Sequence, residues 1–366
     1  MRALAAVFAG RIGQHELRPL DVPRPRPGEL LVRVLGATIC GSDRHSFEGR
    51  RQVAVPTILG HEIVGRIEAF ADDPPPSDLS GQPLTLGDRI TWGIVAHCGD
   101  CFFCDHELPQ KCEHAVKYGH EPLRDDYELH GGFAEYCLLA PGTSIMRLPD
   151  ALPLEVACPA NCATATSAAA VDAATYAGGT FNGHTVTILG AGLIGLTTAS
   201  MAHSQGAANI IVVDPDEHRR QLAHQFGATH VADPASLGDL LGSLTRHGTD
   251  FLIEASGAAA AFTNAFPFAR IGGSIVLVGS VSPGPDVPIA LERIVRRNLR
   301  IVGVHNYAPK HLRQAVEFLA AAHTRHPFAD LVADWFPIDQ IDEAFAQARD
   351  PRKVRVGVRQ DRDSDA

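Results

Sequence analysis

Residues 185 to 204 read TVTILGAGLIGLTTASMAHS: an apolar strand-like run, three glycines spaced GxGxxG, and an apolar helix-like run with no break between them. That order restricts the fold, because it asks for a strand, a tight turn and a helix packed back on the strand. Gly190, Gly192 and Gly195 allow the turn and a close backbone approach. The pyrophosphate of a dinucleotide can then rest on the helix N-terminus at Leu193 and Ile194, where unpaired N–H groups and the helix dipole favour negative charge. Asp214 ends the next apolar run, NIIVVD, 24 residues after Gly190. There it can accept from a ribose 2′-OH and would repel a 2′-phosphate, which favours NAD over NADP. Arg219 and Arg220 follow closely and could neutralise a phosphate, so NADP stays open. A glycine turn that only packs a helix on a strand is the alternative; the acidic partner and the flanking elements weigh against it.

The same rhythm extends through the middle of the chain. ATATSAAAVDAATYA has no Pro or Gly before Gly178 and predicts a helix; DEHRRQLAHQFG predicts another, and DFLIEA, SIVLVG and LRIVGV predict strands. This alternation is that of an α/β, doubly wound parallel sheet. The first hundred residues differ: short apolar runs (Leu30 to Leu35, Ile63 to Ile67, Arg89 to Val95) are separated by breaks such as PRPRPGE and DDPPPSDLSGQPL, the texture of a β-rich, loop-heavy module. Beyond Val304 come an amphipathic helix, HLRQAVEFLAAAH, a mixed tail with KVRVGVRQ, and an acidic, frayed end, DRDSDA. At 366 residues the chain exceeds the size at which one core stops growing, so two domains are expected.

Charge excludes several classes of partner. Lys and Arg number 32 against 42 Asp and Glu, a net charge of −10, which gives no footprint for nucleic acid or an anionic membrane. No stretch approaches 18 apolar residues, and the apolar run of MRALAAVFAG is short for a signal peptide. A soluble cytoplasmic protein acting on a small molecule is expected. Four of the eight cysteines crowd into CGDCFFCDHELPQKC, and in a reducing compartment metal ligation explains them better than disulfides do. Cys98, Cys101, Cys104 and Cys112 are the closed ligand set of a structural zinc, worth on the order of 10 kcal/mol in ordering such a loop. A redox CxxC pair or an iron–sulfur cluster is the alternative.

Cys40 in TICGSDRH, His61 in LGHEIVG and Cys162 in PANCATAT stand apart. Taken singly, each reads equally well as a buried structural residue, as Cys137 and Cys158 do. HEIVG lacks the second His of a metalloprotease helix. Spacing alone does not join the three.

GHEIVG, the cysteine loop, CGSDxH and GAGLIG in this order resemble the zinc-containing medium-chain alcohol dehydrogenases, over about residues 30 to 305. The resemblance implies a GroES-like catalytic domain over 1–163, completed by 306–366, and a Rossmann NAD-binding domain over 164–305. It implies two Zn²⁺ per chain, with Cys40, His61 and Cys162 as the catalytic ligands. Glu62 stands where an adjacent glutamate can approach the metal, and Asp43 where a carboxylate orients His61. Ser42 and His45 resemble the relay that carries the alcohol's proton outward. Thr166 falls under the nicotinamide, and Val278 and Gly279 near its carboxamide. Gly41 occupies a place that holds a basic pyrophosphate contact in some relatives, and Lys353 is the candidate to supply that charge.

The implied reaction is hydride transfer between an alcohol, or its aldehyde or ketone, and NAD(H), from a zinc-bound alkoxide. Lowering an alcohol pKa near 16 toward the value of about 7 reached by zinc-bound water corresponds to about 12 kcal/mol. CGSDRHSFEGRR, GDRITW, LPQKCEHAVKYGH and GVHNYAPKHL resemble the branch of the family associated with phosphonate catabolism. Arg44, Arg50, Arg51, Lys117 and His120 would then form a cationic mouth for a phosphonate-bearing alcohol; surface cations without that role are the alternative. A polyol or amino-alcohol dehydrogenase of the same family, and a non-catalytic zinc- and NAD-binding redox sensor, are the competing functions. Relatives pair through the last strand of the nucleotide domain, here near LRIVGVH, so a homodimer or homotetramer is expected.

Overall fold

The computed structural model describes residues 1–71, 76–124, 129–176 and 178–360. The 72–75 part of the break in DDPPPSDLSGQPL and the acidic end at 361–366 lie outside the described residues. The chain divides into two compact units. One comprises Met1–Cys162, Ala308–His323 and the chain from Phe328 onward; the other comprises Ala163–Tyr307 with Thr324–Pro327.

The first unit is β-rich. Arg2–Phe8 pairs antiparallel with Glu16–Asp21 and with Thr57–Ile58. A larger sheet runs in the order Val332–Pro337, Arg355–Arg359, Leu30–Thr38, Glu62–Phe70, Arg89–Ala96, Val116–Lys117. Tyr136–Leu139 also pairs with Leu30–Thr38, and Thr143–Arg147 with Arg89–Ala96. The central strands carry β-branched and large apolar residues that suit a buried sheet. Their core includes Val32, Ile63, Ile67, Ile90 and Trp92, closed by Phe133 and Phe345. Two antiparallel registers position the site: Thr38 lies opposite Glu62, and Gly357 lies opposite Thr38. They set the residues just past Leu30–Thr38 beside those that open Glu62–Phe70 and Arg355–Arg359.

The second unit is a six-stranded, wholly parallel sheet in the order His230–Ala232, Asn209–Val213, Thr185–Leu189, Thr249–Glu254, Ala269–Leu277, Arg300–Gly303. All five residues of Thr185–Leu189 are buried, as a central parallel strand requires. Leu193–Ser204 and Glu217–Gln225 are helices. Strand order reverses at Thr185–Leu189 and Thr249–Glu254, the place where doubly wound sheets bind ligands. The helix expected in the Ala-rich stretch spans Ala163–Thr175.

Candidate active site and metal centres

In the nucleotide unit, each glycine of GAGLIG has its own reason. Gly190 has φ +98°, open to glycine and strained for other residues. A Cβ on Gly195 would lie 1.9 Å from the Gly190 carbonyl oxygen, so only glycine lets helix and turn approach. A Cβ on Gly192, which starts the helix Leu193–Ser204, would meet nothing within 4 Å. That open ground in front of a helix N-terminus suits a pyrophosphate. Asp214 is buried; one carboxylate oxygen accepts the Ala191 N–H at 2.8 Å and the other the Asp216 N–H at 2.9 Å. It is thereby held against the glycine turn, with lone pairs left for a hydroxyl. Arg220 spends its guanidinium on the carbonyls of Asp214 and Pro215, at 2.8 and 2.9 Å. The Arg219 N–H caps onto Asp216 at 3.0 Å. Thr166 is half-buried on the helix Ala163–Thr175. Val278 and Gly279 follow Ala269–Leu277, both N–H groups held by the Glu254 carbonyl.

In the catalytic unit, CGDCFFCDHELPQKC folds so that its four sulfurs converge. Sγ separations are 3.4 Å for Cys98–Cys112, 3.5 Å for Cys101–Cys104, 3.8 Å for Cys101–Cys112 and 4.0 Å for Cys98–Cys104. Tetrahedral zinc with Zn–S near 2.3 Å implies sulfurs about 3.8 Å apart. Main-chain N–H groups already point at them: Cys98 and His114 at Cys112 Sγ, both 3.3 Å, and Glu113 at Cys101 Sγ, 3.5 Å. Such donors from Glu113 and Cys104 pull the Cys101 thiol down to about 6.

The second constellation joins residues 122 positions apart. Cys40, His61 and Cys162 each offer one ligand atom, all within 4.8 Å of one another, and the two sulfurs are 4.0 Å apart. Cys40 leads into the helix Gly41–Phe47, whose Asp43 carboxylate receives the Cys40 N–H at 2.9 Å, the Gly60 N–H at 3.2 Å and His61 Nδ1 at 3.1 Å. With Nδ1 committed to Asp43, Nε2 faces the sulfurs. Two thiolates and an imidazole so oriented are the donor set of a zinc site that keeps one position open. Burial works against charge on His61, but the Asp43 carboxylate and Cys40 prevail and raise it to about 10. The Cys162 hydrogen bond, against the effect of burial and with help from Arg355, lowers Cys40 well below the usual thiol range; Cys162 is raised correspondingly. A metal bound by these three groups would take two thiolates and a neutral imidazole, so its binding would release their protons.

Around this cluster lie residues the sequence did not single out. Arg355 donates to both oxygens of Glu62, Nε and Nη2 each at 2.9 Å, and its Nη2 lies 3.8 Å from Cys40 Sγ. Burial pushes the Glu62 carboxyl up, and the Arg355 charge opposes it; Arg355 itself stays cationic. Thr38 Oγ1 donates to Glu62 at 2.5 Å. Asn161 donates to the His61 and Trp92 carbonyls at 2.9 and 2.7 Å and accepts the Ile63 N–H at 3.3 Å, fixing the chain on both sides of the ligands. Ser42 Oγ lies 3.4 Å from His61 Nε2. His45 is half-buried three residues further along the same short helix, on the same face.

Several other candidates are already engaged by protein groups. Lys353 is tied to Asp334 at 2.9 Å and to Gln347 at 2.5 Å. Arg44 donates to the Ala348 carbonyl at 2.6 Å and Arg50 pairs with Glu48 at 3.3 Å. Cys137 and Cys158 are buried thiols pushed up by burial.

Comparison with known proteins supplies the remaining observation. The profile described as "Alcohol dehydrogenase GroES-like domain" matches residues 26–150, and "Zinc-binding dehydrogenase" matches 194–321. The chain is 30% identical to 5-exo-hydroxycamphor dehydrogenase of Pseudomonas putida, over 94% of each chain. The chain belongs to the zinc-containing medium-chain alcohol dehydrogenase family. L-threonine 3-dehydrogenase of Anaeromyxobacter dehalogenans is likewise 30% identical, covering 92% of this dehydrogenase and 93% of its own chain. Among solved structures, an alcohol dehydrogenase of Thermotoga maritima superposes with TM-score 0.91 at 27% identity, over 98% and 99% of the two chains. A zinc-binding dehydrogenase of Sinorhizobium meliloti, bound to NADP, gives 0.83 at 27% identity over the same shares. The fold is thus a GroES-like domain with a Rossmann-type sheet, and this dehydrogenase is an oxidoreductase. Among the described residues no helix is long and apolar enough to cross a membrane.

Proposed function

We propose that this dehydrogenase oxidises an alcohol with NAD, using a catalytic zinc held by Cys40, His61 and Cys162 and a structural zinc held by Cys98, Cys101, Cys104 and Cys112. The convergence of the first three within 4.8 Å, with Asp43 fixing His61, carries the reading. Zinc in such a site supplies Lewis acidity that makes an alcohol proton removable at neutral pH. Asp43 sets the His61 tautomer and ring direction. Ser42 receives the leaving proton, since a hydroxyl both accepts and donates, and His45 passes it to solvent. Burial and the charges of Arg44 and Arg50 hold His45 below its usual value, which suits release of that proton. NAD would supply the hydride acceptor; Gly192 to Gly195 would hold its pyrophosphate, Asp214, with Arg219 beside it, its ribose 2′-OH, and Thr166, Val278 and Gly279 its nicotinamide. The alcohol loses a hydride and a proton, leaving carbonyl product, NADH and H⁺. Asp214 supports NAD over NADP, and the engagement of Arg220 supports it further.

A phosphonate-bearing alcohol is the first substrate to test. Similarity to L-threonine 3-dehydrogenases favours an amino-alcohol as the second, with polyols beside it. Exposed Ile271, Val281, Leu291 and Val295, in the unit whose sheet ends at Arg300–Gly303, support a homodimer or homotetramer. NADH absorbance across small alcohols, with metal analysis, tests the reading. His61→Ala should abolish turnover in a protein that still folds and binds NAD, and Cys40→Ala should lower zinc from two per chain to one. Undiminished turnover in His61→Ala would overturn it.

A further inference from the structure

The carboxyl ends of Thr185–Leu189, Thr249–Glu254 and Ala269–Leu277 carry three turns that pack against one another. A Cβ on Gly190 would lie 3.0 Å from Ser256 Cα, and a Cβ on Gly279 would lie 2.3 Å from the Gly257 nitrogen and 2.7 Å from the Ala255 carbonyl carbon. The turn at residues 255–257 is therefore wedged between the glycine turn of GAGLIG and the turn that opens at Val278. Its own backbone bends sharply, with Gly257 at φ +72°, a conformation that strains other residues. Any shift in this middle turn reaches both neighbours.

Glu254 holds that turn in shape. The residue is 1% exposed and closes its strand, with Leu189 and Leu277 opposite it on the two neighbouring strands. One carboxylate oxygen accepts the Ser256 N–H at 2.8 Å, the Gly257 N–H at 2.7 Å and the Ser256 hydroxyl at 2.6 Å. Ser280 Oγ lies 3.4 Å from the other oxygen, and the Ser256 hydroxyl in turn accepts the Ala258 N–H at 3.1 Å. The Glu254 carbonyl accepts the Val278 and Gly279 N–H groups at 2.8 and 2.9 Å. Among the described residues the carboxylate has no Lys or Arg partner, so its hydrogen bonds go to the turns it joins. Three donors on one oxygen suit a carboxylate, and bonds to an ionised acceptor are about twice as strong as those between neutral groups.

We propose that Glu254 is a positioning residue for the nicotinamide half of the cofactor. Through its carboxylate and its carbonyl it fixes Val278 and Gly279 relative to the glycine turn that would hold the pyrophosphate. The inference rests on the cofactor placement proposed above and adds the residue that sets the spacing between its two ends. The glycine turn and the helix N-terminus at Leu193 have their own N–H groups for the pyrophosphate, so losing Glu254 weighs on the nicotinamide end. A dinucleotide that must meet both ends feels a change in their spacing; a fragment that ends before the nicotinamide does not.

The test measures Kd for NAD and for ADP-ribose, which lacks the nicotinamide, by calorimetry on the zinc-loaded wild type, Glu254→Asp, Glu254→Gln and Ser256→Ala, with Tm taken on each. Glu254→Asp keeps the charge but draws the oxygens back by one methylene, so it should weaken NAD about 10-fold and ADP-ribose by less than about 3-fold. Glu254→Gln keeps the reach and one acceptor oxygen and should restore most of the NAD affinity. Ser256→Ala removes only the hydroxyl donor and should repeat the contrast at about 3-fold for NAD, which serves where Glu254→Asp fails to fold. A residue that only stabilises the fold would lower Tm and leave both affinities unchanged, or weaken both equally. Either result overturns the inference while the cofactor reading stands, as does a Glu254→Gln protein that binds NAD as weakly as Glu254→Asp. Wild type that binds neither NAD nor ADP-ribose overturns the cofactor reading itself, and the inference with it.

Discussion

Arg355→Met removes one half of a buried ion pair and leaves the other half in place. The Glu62 side chain is fully buried, Arg355 is 12% exposed, and two charge-assisted hydrogen bonds of 2.9 Å join them. Without Arg355, Glu62 keeps, among the described residues, only the Thr38 hydroxyl as a side-chain donor. A buried charge stranded in this way costs about 3–5 kcal/mol, which in a domain of this size lowers Tm on the order of 10 °C. Arg355→Met with Glu62→Gln removes both charges and should recover most of that loss, because the desolvation of each ion is then no longer paid. The same change withdraws a cation 3.8 Å from Cys40 Sγ, so zinc affinity at the catalytic cluster should fall about 10-fold, as it does when a group supporting a ligand is lost. Calorimetry on the zinc-loaded proteins reads the stability, and competition with a chromogenic chelator reads the affinity. A Tm drop below about 3 °C for the single variant, or a double variant no better than the single, would refute the stranded-charge argument.

Three further outcomes are expected. Cys104→Ala should release the structural zinc and make the 98–112 loop a site of rapid proteolysis while NAD binding persists; a variant that retains both metals and resists protease as wild type does would contradict the closed four-thiolate site. In the proposed cofactor site Asp214→Asn removes the charge that would face the ribose 2′ position, so the expected preference for NAD over NADP in fluorescence titrations should narrow; an unaltered preference would place cofactor choice elsewhere. Asp250 offers a pH test: burial opposes its ionisation, but the Thr185 N–H and Arg270 hold its carboxyl below the usual range, with His184 at 3.2 Å. A depressed carboxyl stabilises the fold above its unfolded pKa near 4 and loses that contribution as pH falls through the folded value. The stability gap between wild type and Asp250→Asn should therefore shrink from about pH 5 to pH 3, and a gap independent of pH would exclude ionisation as its cause.

The nucleotide unit was legible because its signal is local: GAGLIG lies within one strand–turn–helix, and each run around it repeats a period the chain itself displays. The convergence of Cys98, Cys101, Cys104 and Cys112 was legible for the same reason, since fifteen consecutive residues contain all four sulfurs. The N-terminal hairpin Arg2–Phe8 with Glu16–Asp21 was not, because RALAAVF reads as well for a short apolar helix as for a strand. Cys40, His61 and Cys162 emerged only through resemblance, because what joins them is a sheet register and not a spacing.

Arg355 shows the limit of periodic reading. In KVRVGVRQ it alternates with valines and so reads as the solvent-facing side of an edge strand. The strand is not at the edge: Arg355–Arg359 lies between Val332–Pro337 and Leu30–Thr38. With Gly357 opposite Thr38, stepping two residues outward on each strand sets Arg355 against Cys40, while Thr38 faces Glu62 on the other side. One residue of slip in either register would turn Arg355 or Glu62 to the opposite face of the sheet and separate the pair. The charges at the cluster therefore depend on strand pairing supplied by three distant parts of the chain, which is why the C-terminal segment belongs to the same unit as the first 162 residues.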